Sequence, residues 1–309
     1  MAPWMAANAS LTGSVPCSSF PPVVIEGPSD YQAYMSNATL RGSTALGTVV
    51  VTWVNISDAE LVNVLANKVA LGELVLQGLT QVTAVSAALG RLTSVTTRIV
   101  LDTLPGVSAV AAPLLTSVGG GFRVFGLTSA TSLSFPNITS IGGDVLFQNN
   151  VLATSMSFDS LTSINGSMAM YNIRVLTPAA LSNSFSALQT VADEVIIQTL
   201  GVAGAAADIQ TALVLPQLTS IGSLYMRDMR ATVVSMPALQ TIGGTGQQGL
   251  FFFQDMQYVR SLDFPSLASV SGRMQLINLL VIANLCQLGL PATGYLSSTA
   301  VSTSIATIA

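Results

Sequence analysis

Histidine is absent from the 309 residues. That removes Ser-His-Asp and Cys-His catalysis, the usual zinc sites and the commonest general base. Charge is scarce, with 8% of residues charged, against roughly 25% in an average soluble domain. There is one lysine, Lys68, and the net charge is −4. The chain therefore lacks the basic surface that a nucleic acid requires. The two cysteines, Cys17 and Cys286, lie near opposite ends and make no disulfide framework. Half of the residues are hydrophobic, yet no run of ~18 apolar residues encodes a transmembrane helix. The longest candidate, Leu276 to Leu285, contains Asn278 and Asn284. With so little charge, the surface has to be built from Ser, Thr, Asn, Gln, Gly and Ala.

What the chain has instead is a repeat. Its clearest copy is Ile138-Thr-Ser-Ile-Gly-Gly-Asp-Val-Leu-Phe-Gln-Asn-Asn150. Degraded copies are Leu115-Thr-Ser-Val-Gly-Gly120, Leu161-Thr-Ser-Ile-Asn-Gly166, Leu218-Thr-Ser-Ile-Gly222, Leu239-Gln-Thr-Ile-Gly-Gly244 and Leu267-Ala-Ser-Val-Ser-Gly272. The units 115–137 and 138–160 are each 23 residues long and identical at 9 positions. The anchors Leu61, Leu92, Leu115, Ile138, Leu161, Leu188, Leu218, Leu239 and Leu267 recur every 21 to 31 residues, a period found in leucine-rich repeats and β-helices. Each unit offers one strand that alternates inward and outward residues. A single unit cannot bury its own apolar face, so stacking has to supply the core.

The units also share corner residues. Gly pairs at 119–120, 142–143 and 243–244 suit a corner that needs φ > 0 or close backbone approach. Pro113, Pro136, Pro216, Pro237 and Pro265 each stand two residues before an anchor, where proline marks a corner because it cannot donate to a ladder. The Thr column 116, 139, 162 and 219 reads as corner hydroxyls that satisfy backbone groups. A flat, outward Thr array would instead point to an ice-binding solenoid.

Three regions follow. Residues 1–22 form an irregular lead-in with Pro16, Pro21 and Pro22, and no intact signal peptide is recognisable there. Residues 23–290 carry about ten coils on the order of 50 Å long. They open with a short capping helix near Tyr31 to Met35 that is N-capped at Ser29-Asp30, then a connection over 40–47 and a strand over 48–54. Excess residues at 171–187 and 198–211 are expected to leave the coil as loops or short helices. Residues 291–309 are Ser, Thr and Ala without charge and read as a tail or stalk to a further part.

The skeleton Leu-x-x-Ile-x-Gly-x-Leu-x-Ile-x-x-Asn, with Phe-Pro-x-Leu-x-x-Ile between units, resembles the receptor L-domain. This is the leucine-rich-repeat-like solenoid of insulin- and EGF-receptor ectodomains and of fungal GPI-anchored cell-wall proteins. The residues that carry the resemblance are Leu218-Thr-Ser-Ile-Gly-Ser-Leu-Tyr-Met226, Ser261-Leu-Asp-Phe-Pro-Ser-Leu-Ala-Ser-Val270 and Asn149-Asn150. The opening Val24-Ile-Glu-Gly-Pro-Ser-Asp-Tyr31 is similar to that family's first helix. The resemblance implies a mainly β, right-handed β-solenoid engaged in cell-surface recognition or wall organisation. A cysteine pair near the cap is usual in such domains and is missing here.

Candidate binding residues lie at the outward strand positions. Opposite the Val145 and Phe147 type, these are Arg123 and Phe125, Leu146 and Gln148, Ala169 and Tyr171, Ile196 and Gln198, Tyr225 and Arg227, Phe251 and Phe253, then Gln275 and Ile277. Phe125, Tyr171, Tyr225, Arg227, Phe251 and Phe253 make this face aromatic in a chain with 6% aromatics, as partner surfaces are. Asp193-Glu194 is the one adjacent acidic pair, and Asp228 lies between Arg227 and Arg230; these read as solvated charges. Leu290-Pro-Ala-Thr-Gly294 matches a bacterial sorting signal but lacks the span and basic tail that should follow it.

The sequence thus predicts an extracellular, non-catalytic recognition or adhesion domain with a protein or glycan partner. It predicts no cofactor, no metal and no nucleic acid, and membrane attachment only through an anchor outside this chain. Sequons at Asn8, Asn37, Asn55, Asn137 and Asn165 are candidate glycosylation sites. The alternatives are a structural cell-wall or coat spacer, a carbohydrate-active β-helix enzyme using carboxylates, and an ice-binding solenoid.

Overall fold

The computed structural model describes residues 22–200, 212–243, 249–277 and Leu279. Asn8, both cysteines, most of the lead-in, the segment 201–211 and the tail from 291 lie outside the described residues. The chain is mainly β, with 41% strand and 14% helix, and every strand pairing among the described residues is parallel.

The main ladder joins equivalent strands of successive repeats. It runs Val23–Ile25, Ala45–Val51, Ala70–Gln77, Ser94–Asp102, Phe122–Phe125, Val145–Gln148, Met168–Ile173, Thr190–Leu200, Ser220–Met229, Phe251–Gln254 and Met274–Ile277. Where repeats are 23 residues long the register follows them: Val145 pairs with Phe122 on one side and Met168 on the other. Val145 and Phe147 are buried while Leu146 and Gln148 are only part-buried, as strand alternation requires. In repeats that carry a Gly-rich corner the strand breaks in two, so that Ser117–Val118, Ser140–Ile141 and Ser163–Ile164 form a short ladder that joins the unbroken strands Ser94–Asp102 and Thr190–Leu200.

That corner is set by close approach. A Cβ on Gly142 would overlap the Gly119 carbonyl oxygen, and one on Gly119 would overlap the Thr96 carbonyl oxygen. Positive φ occurs at this corner in Gly243 (φ 101°), and it recurs in register at the opposite end of the outward strand: Gly78, Thr103, Gly126, Asn149, Asn172, Thr199, Asp228 and Asp255. One left-handed residue per coil turns the chain inward, so the next residue (Leu79, Leu104, Leu127, Asn150, Ile173, Leu200, Met229 or Met256) is buried. Asn150 is the polar exception in this column, and its amide bridges Leu127 N and Val124 O at 3.1 and 3.0 Å.

A third row closes the far side. Helix α1 (Pro28–Ser36) begins one residue before the expected cap, with Gly27 as N-cap and Pro28 at the first helical position, and it packs on the strand Val23–Ile25. The expected connection over 40–47 contains helix α2 (Ala38–Gly42), capped by Asn37, and the strand predicted over 48–54 is Ala45–Val51. Helix α3 (Asp58–Leu65) starts at a Ser57/Glu60 capping box, a sequence signal that the repeat pattern overshadowed. Helix α4 (Val85–Leu89), the strands Ala109–Ala111, Ser132–Ser134 and Ser155–Ser157, helix α5 (Pro178–Ser184) and the strands Ala212–Val214, Val233–Ser235 and Ser261–Asp263 continue the row.

Helix α5 therefore replaces a strand and does not leave the coil. Ser184 Oγ donates to Met156 O at 2.7 Å, and Ser182 Oγ accepts from Val214 N at 2.7 Å. The proline corners are turns with Pro second, closed by bonds such as Leu115 N to Ala112 O at 3.2 Å and Leu239 N to Met236 O at 3.1 Å.

The core lies between the main ladder and the third row. Phe122, Phe135, Phe147, Phe158 and Phe185 pack there with centroids 4.9 to 5.9 Å apart, each contributing about 1.5–3 kcal/mol of burial. Phe251, Phe253 and Phe264 make a second cluster.

Candidate functional site

Phe251 and Phe253 are both 0% exposed. The expectation that they face outward is corrected: the outward residues of that coil are Phe252 and Gln254, partnered with Tyr225 and Arg227. Phe251-Phe-Phe253 has no polar residue to mark a face, and a one-residue slip inverts every side chain. The other proposed positions, Phe125, Tyr171, Tyr225 and Arg227, do lie outward and are part-buried.

The structure brings two of them together. Tyr171 and Tyr225 stand on the two strands that flank Thr190–Leu200, strands about two ladder spacings, or roughly 10 Å, apart, with Tyr171 level with Gln198 and Tyr225 level with Ile196. Between them is a hollow of about 210 Å³ lined by Tyr171, Glu194, Ile196, Gln198, Ser223, Tyr225 and Leu250. In register, Ala169, Ile196, Tyr225 and Phe252 form one row across four strands. Tyr225 and Phe252 stack with centroids 4.6 Å apart and planes 3° from parallel. The next place in that stack holds Ile196, whose shorter side chain leaves the hollow above it.

Polar groups rim the hollow. Glu194 and Gln198 flank Ile196 on the same strand, and Ser223 Oγ accepts from Leu250 N at 3.1 Å. Burial raises the Tyr171 phenol, and the Glu194 carboxylate and Tyr225 raise it further. Tyr171 is therefore a protonated donor at neutral pH. Glu194, read from sequence as a solvated charge, is exposed but shares this rim. Its place beside Ile196 carries no sequence signal, because carboxylates have no strand-face signature.

Phe125 is two strands from Tyr171 and lies outside the hollow; the Arg123 guanidinium sits 5.3 Å from its ring centroid. Arg227 pairs with Asp255 at 3.4 Å. The corner threonines donate to the preceding coil: Thr116 Oγ1 to Thr93 O at 3.0 Å, Thr139 to Thr116 O at 3.2 Å, Thr162 to Thr139 O at 3.0 Å and Thr219 to Gln189 O at 3.0 Å. Among the described residues no group of three His, Cys, Asp or Glu could hold a metal ion, and no helix is long and apolar enough to cross a membrane. Of the sequons, Asn55, Asn137 and Asn165 are exposed and Asn37 is part-buried.

Against known proteins, the chain matches no family model, no curated protein and no solved structure.

Proposed function

We propose that the chain is a right-handed β-solenoid of the receptor L-domain kind. In this reading it is a non-catalytic recognition or adhesion domain at the cell surface. Its ladder of parallel, in-register repeats supports the solenoid. The exposed sequons at Asn55, Asn137 and Asn165 and the scarcity of charge support an extracellular setting.

The observation that carries the recognition reading is the hollow over Ile196, flanked by Tyr171 and Tyr225 on a sheet face. A rigid ladder with an aromatic-walled depression and a polar rim has the make-up of a binding site. No neighbouring segment of the described chain fills it.

The test is binding of the labelled full chain to intact cells of its source organism, beside Tyr225→Ser with an unchanged circular dichroism spectrum. Saturable binding that the variant loses supports recognition through this face. No binding by either form favours a spacer role, and equal binding by both excludes recognition through this face.

A further inference from the structure

We infer, resting on the recognition reading above, that the hollow over Ile196 seats one neutral pyranose ring of a glycan, stacked against Tyr225. Three features of the hollow select this class.

The first is the stack. Phe252 covers one face of Tyr225 at 4.6 Å, and Phe252 and Ile196 are its register partners on opposite sides. The uncovered face of Tyr225 therefore looks over Ile196. A ring placed there continues the stack at the spacing that the ladder imposes. The C–H face of a pyranose is apolar and suits a tyrosine ring and an isoleucine floor.

The second is the density of polar groups. Tyr171, Glu194, Gln198, Ser223 and Tyr225 bring two phenols, a carboxylate, an amide and a hydroxyl to one small hollow. A carboxylate and an amide accept from and donate to adjacent hydroxyls of one ring. A purely apolar ligand would strip water from the Tyr171, Glu194 and Gln198 side chains and return no hydrogen bond.

The third is charge. Glu194 opposes an anionic ligand, and Arg227, the register partner of Gln198, is already paired with Asp255. At about 210 Å³ the hollow lies below the ~300 Å³ at which drug-sized pockets begin, so it fits one ring and not an extended segment of peptide.

The experiment titrates the full chain calorimetrically with glucan, mannan and chitin tetrasaccharides, with adenosine as a flat aromatic control. One saccharide is expected to bind, with a Kd on the order of 1 mM or tighter. Tyr225→Ala and the hollow-filling Ile196→Phe should each weaken it about tenfold or more, a change of ~1.4 kcal/mol. Glu194→Gln should weaken it several-fold, and Phe125→Ala should leave it unchanged. Thermal midpoints control for folding, and Ile196→Phe, which adds apolar surface to the row, keeps the test decisive if Tyr225→Ala unfolds.

Saccharide binding that ignores Tyr225 and Ile196, or adenosine binding tighter than any saccharide, overturns the inference. No saccharide binding, with cell binding that still depends on Tyr225, overturns the sugar assignment and leaves the recognition reading standing. Absence of both overturns the two together.

Discussion

Lys68 occupies, one coil earlier, the interior column that Leu92 occupies at the start of the regular repeat. The residues that follow them are joined by a bond from Thr93 N to Val69 O at 2.8 Å. Lys68 is 1% exposed and Leu92 2%. The ammonium reaches Leu40 O at 3.0 Å, Arg41 O at 3.1 Å and Ser43 O at 2.7 Å, and lies 5.8 Å from the Tyr34 ring centroid. The chain's one lysine thus closes the carbonyl end of α2, where no Leu could.

Removing that ammonium exposes its role. Lys68→Met keeps the volume but takes the ammonium from Leu40 O and Ser43 O, while Arg41 O keeps Asn67 Nδ2 at 2.7 Å; the change is expected to cost about 1–3 kcal/mol, read as a lower urea midpoint at constant m-value. Burial pushes the Lys68 ammonium down from 10.5 to about 8. Between about pH 8 and 10.5 the unfolded chain therefore holds a proton that the folded chain has lost, so the unfolding free energy should rise with pH across that window. Tyr34, raised to about 12 by burial and donating to Val64 O at 3.1 Å, acts oppositely. It stays protonated when folded and should reduce stability from pH 10 to 12. Lys68→Met should remove the rise alone.

Gly142 tests the corner. Because a methyl there meets the Gly119 carbonyl and not a movable side chain, Gly142→Ala must push two coils apart. A loss of about 1–3 kcal/mol is expected, as for overpacked cores. Gly42→Ala, where nothing lies within 4 Å, is the control and should be neutral or stabilising by ~0.4–1 kcal/mol. Equal effects at both sites in urea unfolding would mean that the stacked corner carries no special constraint.

The left-handed column offers the reverse case. Thr103 holds φ at 53° between Gly78 and Gly126 of the adjacent coils, although branched side chains disfavour that region. Asn, which adopts it readily and already stands at positions 149 and 172, should do better. Thr103→Asn is expected to stabilise by about 0.5–1 kcal/mol, seen as a raised thermal midpoint.

These columns explain what the sequence disclosed. Repeat length, proline turns and inward anchors were legible because stacking imposes one residue type on each column. Leu61 misled because it lies on α3, and the column it was assigned to holds Lys68, whose charge hid it. Helices α3 and α4 were not foreseen, and the short helix allowed for within 171–187 was expected to leave the stack, because a helix can stand in the third row where a strand stands in other repeats, and only local caps such as Ser57/Glu60 and Thr177/Pro178 announce it. The hollow was half legible: Tyr171, Ile196, Gln198 and Tyr225 follow from alternation. Its depth depends on Ile196 beside Tyr225, a side-chain size difference across strands that no single repeat displays.

The same coil supplies a test of the corrected register. Phe251 is 0% exposed and meets Phe253 and Phe264. Phe252 is 9% exposed and meets Tyr225 on the outer face. Phe251→Ala should open a core cavity and cost about 3–5 kcal/mol. Phe252→Ala removes one aromatic partner and apolar burial at the outer face, where solvent and neighbours can fill the space, so its effect should be smaller, about 2–3 kcal/mol. Tyr225 would then lose the neighbour that holds its ring against the row, and ligand binding at the hollow should weaken while the fold persists. If Phe252→Ala proves the more destabilising of the two, the strand is slipped by one residue and Tyr225 has no stacked partner.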